Sequence, residues 1–459
     1  MRKFLLALVV VAVAAMPAFA SVQNLKVSGA IDSTYVSRSN FDFGSPVGNA
    51  GSTKGDLAQS FAMTQATVKF DADLTDNVST TLELINERVW GTAASSSDNE
   101  EVDVNLAYVT LREMLYSPLT LVVGRQQFAY GNSLVLSSAA HTATGTPLNG
   151  IATDLSKQTG FDAIRAILDY NPLKIELFAA KITETNAALT SYSDLNNHDK
   201  DLYGADAVYA VGDKMNTQVE GYFFSVIDKS NTNNAGAKTG KIYTPGVRVS
   251  LNPIERLNLQ AEYAHQFGTY NVSGGADNRT RNANAAQFLA SYKIPVLEKY
   301  APVAKYAFTF VQGDVNGETG SSANYYTGWD SLYENQGYIN GYSKIYNAMF
   351  SLTNLVIHEV TFEMKPVKDI TASVGWSGLW LNTPYDSSSN TLTATYATYT
   401  MNPNKRFLGN EFDGTLTYDY TEDVKFGATI GMFVPGKAFI NANNDDAAQQ
   451  AMVNMQVAF

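Results

Sequence analysis

Gln450-Ala-Met-Val-Asn-Met-Gln-Val-Ala-Phe459 closes the chain. Ala451, Val453, Met455, Val457 and Phe459 form one apolar set, and Asn454 and Gln456 fall between them. A period of two describes a strand with one greasy and one polar face. The strand stops on an aromatic residue with no polar tail after it. A sheet whose last strand must pair with its first accounts for such an ending, so the rest of the chain is expected to supply matching strands.

It does so with regularity. Leu25, Val27, Gly29, Ile31 and Tyr35 alternate with Lys26, Ser28, Asp32 and Thr34. Ser79 to Trp90 sets Thr81, Glu83 and Glu87 against Leu82 and Leu84. Leu119 to Tyr130 reads as one strand. Further on, Val247 and Val249 oppose Arg248 and Ser250, Leu259 and Ala261 oppose Gln260 and Glu262, and Phe308 and Phe310 oppose Lys305 and Thr309. Short turns rich in Pro, Asn, Asp and Gly fall near Asn171-Pro172, Gly212-Asp-Lys214 and Thr421-Glu-Asp423, where φ is fixed or must be permissive. Long polar loops fall near 131–157, 185–200, 230–241, 269–284, 314–354, 384–405 and 435–447. The pattern predicts eighteen strands, eight tight turns and nine long loops. That is an all-β, up-and-down antiparallel membrane barrel with short periplasmic turns and long extracellular loops. A β-sandwich or solenoid is the competing reading, and no fixed short repeat supports a solenoid.

Targeting agrees. Met1-Arg-Lys, an apolar run from Phe4 to Ala15 and Ala18-x-Ala20 resemble a signal peptide, so residues 1–20 are expected to be cleaved and 21–459 to form a single barrel domain. Without Arg2 and Lys3 the chain keeps 30 basic residues against 44 acidic ones, a net −14, which disfavours nucleic acid as a partner. Cysteine is absent, excluding disulfides, thiolate catalysis, thiolate-held zinc and covalent haem, and no cofactor is expected. The terminal strand resembles the assembly signal of bacterial outer-membrane proteins. Barrel-assembly machinery engaging Phe459, outer-membrane lipid and lipopolysaccharide are therefore the expected partners, in the bacterial outer membrane.

A lysine or arginine facing mid-bilayer costs roughly 2–4 kcal/mol, so the charged set should line the lumen. That lumen holds Lys69, Arg125, Arg165, Arg248, Lys305 and Lys425, with Glu83, Glu87, Asp169, Glu220, Glu262, Glu359, Glu363, Glu411, Asp413 and Asp419. Eighteen strands enclose more space than wall side chains fill, leaving a channel.

Val123-Gly-Arg-Gln-Gln-Phe-Ala-Tyr-Gly131 and Phe161-Asp-Ala-Ile-Arg165 resemble paired strands of the alginate-export family of outer-membrane porins. The resemblance implies a monomeric conduit for an anionic polysaccharide, with Arg125 and Arg165 at an electropositive constriction. Arginine's planar fork suits carboxylates. Arg165 and Arg125 read equally well as braces of the wall, and Leu119, Leu121 and Val123 share the parity of Arg125. An acid-rich lumen favours cations over a polyuronate. Passive diffusion of small hydrophilic solutes is therefore the expected function. Constriction candidates are Arg125, Arg165, Arg248, Lys305, Glu262, Glu359, Glu363, Glu411 and Asp413. A structural or adhesive barrel sheathing a partner protein is the alternative from another class. No enzyme is expected: of the four histidines (His141, His198, His265 and His358), His358 falls on an apolar face and His265 near a strand top, neither with an obvious catalytic partner, and His141 sits in a loop with no acidic neighbour. Asp98-Asn-Glu-Glu101 and Asp445-Asp446 offer oxygens to Ca²⁺ but read better as solvated loop tips. Loops 131–157 and 314–354 either enter the pore or cover its mouth.

Overall fold

The computed structural model describes residues 23–44, 58–91, 102–138, 153–158, 160–183, 199–229, 239–271, 278–314, 325–336, 344–386, 391–393, 395, 397–439 and 445–459. The leader at 1–20, the Asp98–Glu101 cluster, His141 and His198 lie outside them.

The strands run β1 (Asn24–Ser39), β2 (Gln59–Thr75), β3 (Val78–Val89), β4 (Asp103–Arg112), β5 (Leu119–Gln126), β6 (Phe161–Asp169) and β7 (Leu173–Thr183). Next come β8 (Lys200–Ala210), β9 (Gln218–Asp228), β10 (Gly240–Ile254), β11 (Leu257–Asn271), β12 (Asn278–Lys293), β13 (Val303–Val311) and β14 (Tyr325–Tyr326). The chain ends with β15 (Leu355–Val367), β16 (Ile370–Leu381), β17 (Thr391–Thr393), β18 (Thr398–Thr400), β19 (Phe407–Asp419), β20 (Val424–Pro435) and β21 (Ala448–Ala458). β14 lies parallel to β12, and β17 and β18 form a separate hairpin. The other eighteen pair antiparallel with their neighbours in turn. β21 closes the cylinder on β1, with Ala30 opposite Ala458 and Ser39 opposite Gln449. Phe459 extends the seam: its N–H donates to the Gly29 carbonyl at 3.0 Å, and the Gly29 N–H donates back at 2.8 Å. The eighteen wall strands thus present no unpaired edge to a lipid environment that cannot satisfy one. The expected eighteen-stranded barrel is what forms.

The wall sorts its side chains as the period of two requires. Val27, Ile31, Tyr35, Ile164, Phe223, Val247, Tyr263 and Val453 are exposed on the outer face. Asp32, Glu87, Glu176, Glu220, Glu262, Glu359 and Glu411 are buried on the inner one. His265 shares the outer face with Tyr263 and Phe267, and His358 packs there against Phe308 and Trp380.

Two boundaries differ from expectation. β5 ends at Gln126, not Tyr130, because Phe128 and Tyr130 leave the wall to join an aromatic cluster inside the barrel. The proposed loop 269–284 is mostly strand, since β11 runs to Asn271 and β12 starts at Asn278. Its polar run (Asn278, Arg279, Thr280, Arg281, Asn282) disguised a strand with one face on the lumen.

Described loop residues occupy part of the lumen at the loop end of the barrel. A continuous apolar core joins Phe128, Tyr130, Leu134 and Leu136 to the wall residues Phe161, Phe178 and Phe224, and extends through Trp329, Tyr346 and Met349 to Phe433.

Candidate functional site

Among the described residues, wall side chains hold four loop segments inside the barrel through hydrogen bonds and ion pairs. The first follows β5. Residues 128–138 fold back on themselves through Phe128 N–H to Ser138 Oγ (2.8 Å) and Tyr130 N–H to the Leu136 carbonyl (3.1 Å). The tip turns at Gly131, with φ +61°, a conformation that costs a side chain with Cβ. Its two tip amides point at the wall. Gly131 N–H donates to Glu220 Oε1 at 2.6 Å, and Asn132 N–H donates to Glu262 Oε2 at 2.5 Å. The Tyr130 hydroxyl donates to Glu176 Oε2 at 3.0 Å. Burial, reinforced by Glu176, keeps that phenol far above its ordinary range, so it stays a donor. Arg248 completes the clasp, donating to Asn132 Oδ1 (2.6 Å), Glu220 Oε2 (3.0 Å) and Gln260 Oε1 (2.9 Å).

The second segment, 325–336, docks on the first. Ser137 N–H reaches the Tyr333 carbonyl (2.8 Å) and Asn335 N–H reaches that of Ser133 (2.9 Å). Gln266 binds both backbone groups of Asp330, and Gln287 donates to Gln336 Oε1 at 2.6 Å.

The third begins at Lys344 and carries the short helix Ile345–Met349. Glu411 accepts from the amides of Ile345 (2.7 Å) and Tyr346 (2.8 Å), the orphan donors at its start. Lys344 Nζ lies 3.1 Å from Glu359 and 3.3 Å from Asp413 and donates to Ser377 Oγ at 2.7 Å. Burial works against its charge, but Glu359, Asp413 and Glu411 outweigh it and hold Lys344 above the ordinary lysine value.

The fourth is 153–158. Glu87 accepts from Ser156 Oγ and Lys157 N–H, both at 2.7 Å, while Arg38 grips Asp154 with both terminal nitrogens.

The expected constriction residues therefore separate. Arg165, Arg248, Glu262, Glu359, Glu411 and Asp413 face inward, but each is engaged by a neighbour or an entering loop. Arg165 lies 3.5 Å from Glu176 and over the Phe128 ring at 5.7 Å. Lys305 and Glu363 pair at 2.9 Å nearer the turn end, partly exposed to the lumen. Arg125 is a correction. In register it lies opposite Asp162, on the same face as Val123 and Ile164, and Arg165 lies on the other. Its partner Asp162, 3.8 Å away, is exposed on the outer side. Strand parity overrode the resemblance.

Glu176 and Lys344 were absent from the sequence-based lumen set. Glu176 was findable, since it alternates with Ile175 and Leu177. Lys344 has no such signal, because its position depends on how a loop folds.

A family model described as alginate export matches residues 24–454. The outer membrane protein OpdK of Pseudomonas aeruginosa superposes with a TM-score of 0.58 at 13% identity, covering 96% of this chain and 100% of that one. OccAB1 of Acinetobacter baumannii gives 0.56 at 11% identity, covering 96% and 98%. OccK8 (OprE) of Pseudomonas aeruginosa gives 0.56 at 10%, covering 96% and 99%. At such identities the likeness concerns the fold. No curated protein sequence matches the chain.

Proposed function

The chain belongs to the alginate-export family and is a bacterial outer-membrane barrel, and from that premise we propose that it is a passive channel for small hydrophilic solutes, narrowed on its extracellular side by wall-anchored loops. The observation carrying this reading is the clasp of Glu176, Glu220, Glu262 and Arg248 on residues 130–132. A wall that spends charge-assisted hydrogen bonds on loop amides builds a fixed constriction. The same fact tempers the acid-rich lumen: those carboxylates face amides and arginines, and the partly exposed charges below are paired as Lys305–Glu363 and Lys425–Asp419. Selectivity should accordingly be weak.

Conduction of an anionic polysaccharide is the second reading, favoured by the family's description. Arg165 and Arg248 would serve it from inside the lumen, and Arg125 would not. Both readings are transport readings, and the two described histidines, His265 and His358, sit on the outer face. We further propose removal of residues 1–20, checked by the mass of the mature chain, and recognition of Phe459 by the assembly machinery, which its seam position supports.

Planar-bilayer recording under a KCl gradient tests the channel. Discrete steps with a reversal potential near zero are expected. An absence of steps overturns the channel reading. Strong anion preference, lost in Arg165→Ala, would favour the polysaccharide conduit.

A further inference from the structure

We propose that the extracellular mouth contains a binding subsite for a small zwitterion with an aliphatic side chain, of the neutral α-amino acid class. The proposal deepens the channel reading and rests on it for access to the site from the medium.

A cavity of about 150 Å³ lies between the loop-end inner face of β8–β12 and residues 330–332. That is well below the ~300–1,000 Å³ of a site for a drug-sized ligand, so an oligosaccharide does not fit. Its walls carry two ion pairs of different quality. Lys200 and Asp228 are register partners on β8 and β9, with Nζ and Oδ2 3.9 Å apart and about a third of each side chain exposed (33% and 34%). That separation exceeds a hydrogen bond. A ligand can therefore enter between the two groups without breaking a direct bond between them. Across the cavity Arg281 is fixed. It reaches Asp330 at 3.2 Å, donates to the Gly328 carbonyl at 2.9 Å, and lies over the Tyr270 and Tyr326 rings at 5.2 and 5.1 Å.

This charge arrangement selects a class of ligand. A purely anionic solute meets Asp228 and Asp330, and a purely cationic one meets Lys200 and Arg281. Each such encounter sets like charges together in a partly desolvated site. A zwitterion sets its carboxylate toward Lys200 and its ammonium toward Asp228. Val226, Ile242 and Leu332 line the remaining wall together with Gly240, Thr269 and Tyr270. The three aliphatic residues among them offer apolar surface to an aliphatic side chain.

The test uses the full-length protein in detergent, titrated calorimetrically with L-leucine, 4-methylpentanoate and 3-methylbutylamine. The two analogues keep the carbon skeleton and lack the ammonium or the carboxylate. Saturable leucine binding is expected, weaker by about tenfold or more for each analogue, as loss of one charge-assisted hydrogen bond implies. Lys200→Gln and Asp228→Asn should each abolish the preference, and the charge exchange K200D with D228K should restore it. Equal binding of all three ligands, no leucine saturation, or unchanged preference in both single variants overturns the proposal. Bilayer recordings on the same preparation keep the two claims apart. Channel steps without leucine saturation remove the subsite alone, whereas saturation without steps removes the channel.

Discussion

Glu262 accepts from the Asn132 amide and from the Tyr222 hydroxyl, and Gly131 packs against the same carboxylate. A Cβ at position 131 would sit 2.5 Å from Glu262 Oε1, in a backbone conformation with φ +61°. Gly131→Ala should therefore dislodge the clasp, with left-handed backbone adding roughly 1–2 kcal/mol. Glu262→Ala reaches the same end from the wall, stranding two buried donors at roughly 1–3 kcal/mol each. Both variants should raise single-channel conductance and flicker while leaving the heat-modifiable gel shift of the folded barrel intact. Unchanged conductance in both would mean that residues 130–132 do not limit the current. Asp213 shows what a carboxylate does outside the membrane. It accepts from Thr217 N–H (2.9 Å), Thr217 Oγ1 (2.7 Å) and Met215 N–H (3.1 Å), bonds that hold it below the usual aspartate value. A depressed acid stabilises the fold above its unfolded pKa and loses that contribution as pH falls through the folded one. Its titration, followed by NMR, should run below that of an unstructured aspartate, and Asp213→Asn should remove this part of the turn's acid sensitivity.

At the scale of elements, the short helix Ile345–Met349 is held by its first two amides and by the lysine before it. Lys344 lies against Glu359 and Asp413 where water is scarce, and removing one partner of a buried pair costs about 3–5 kcal/mol. Lys344→Met should lower the thermal midpoint of the barrel and detach this segment. Adding Glu359→Gln and Asp413→Asn should recover much of the loss, because the stranded charges go with the lysine. Further loss in the triple variant would show that packing, not charge, holds the helix. On the wall, Gly246 receives the Tyr222 ring from the neighbouring strand, where a Cβ would meet it at 2.2 Å. Gly246→Val should push Tyr222 from Glu262 and reproduce the loosened clasp from a third direction.

For the whole molecule, the seam between β1 and β21 decides whether the barrel exists. Phe459 contributes two backbone bonds to Gly29 and lays its ring over that glycine. Deleting Phe459 should cut the yield of heat-modifiable barrel in the outer membrane more than it lowers the melting temperature of the protein that does assemble. Equal effects would assign Phe459 to stability alone.

The eighteen strands, their direction and their lipid face were legible because alternation is local: each residue's face follows from its neighbour's. That rule also held the truth about Arg125, whose parity with Val123 outweighs its resemblance to a pore arginine. The inward charges were legible too, Glu262, Glu359 and Glu411 among them, but their work was not. A carboxylate on the lumen face has the same sequence pattern whether it meets water or an amide more than a hundred residues away, as Glu262 meets Asn132. Only the tertiary structure decided that loop segments narrow the extracellular half, because loop entry depends on non-local pairings such as Tyr130 with Glu176 and Ser133 with Asn335. Buried backbone donors must find acceptors. In this barrel they found the wall's acids, so those acids clasp loops and do not face the passing solute.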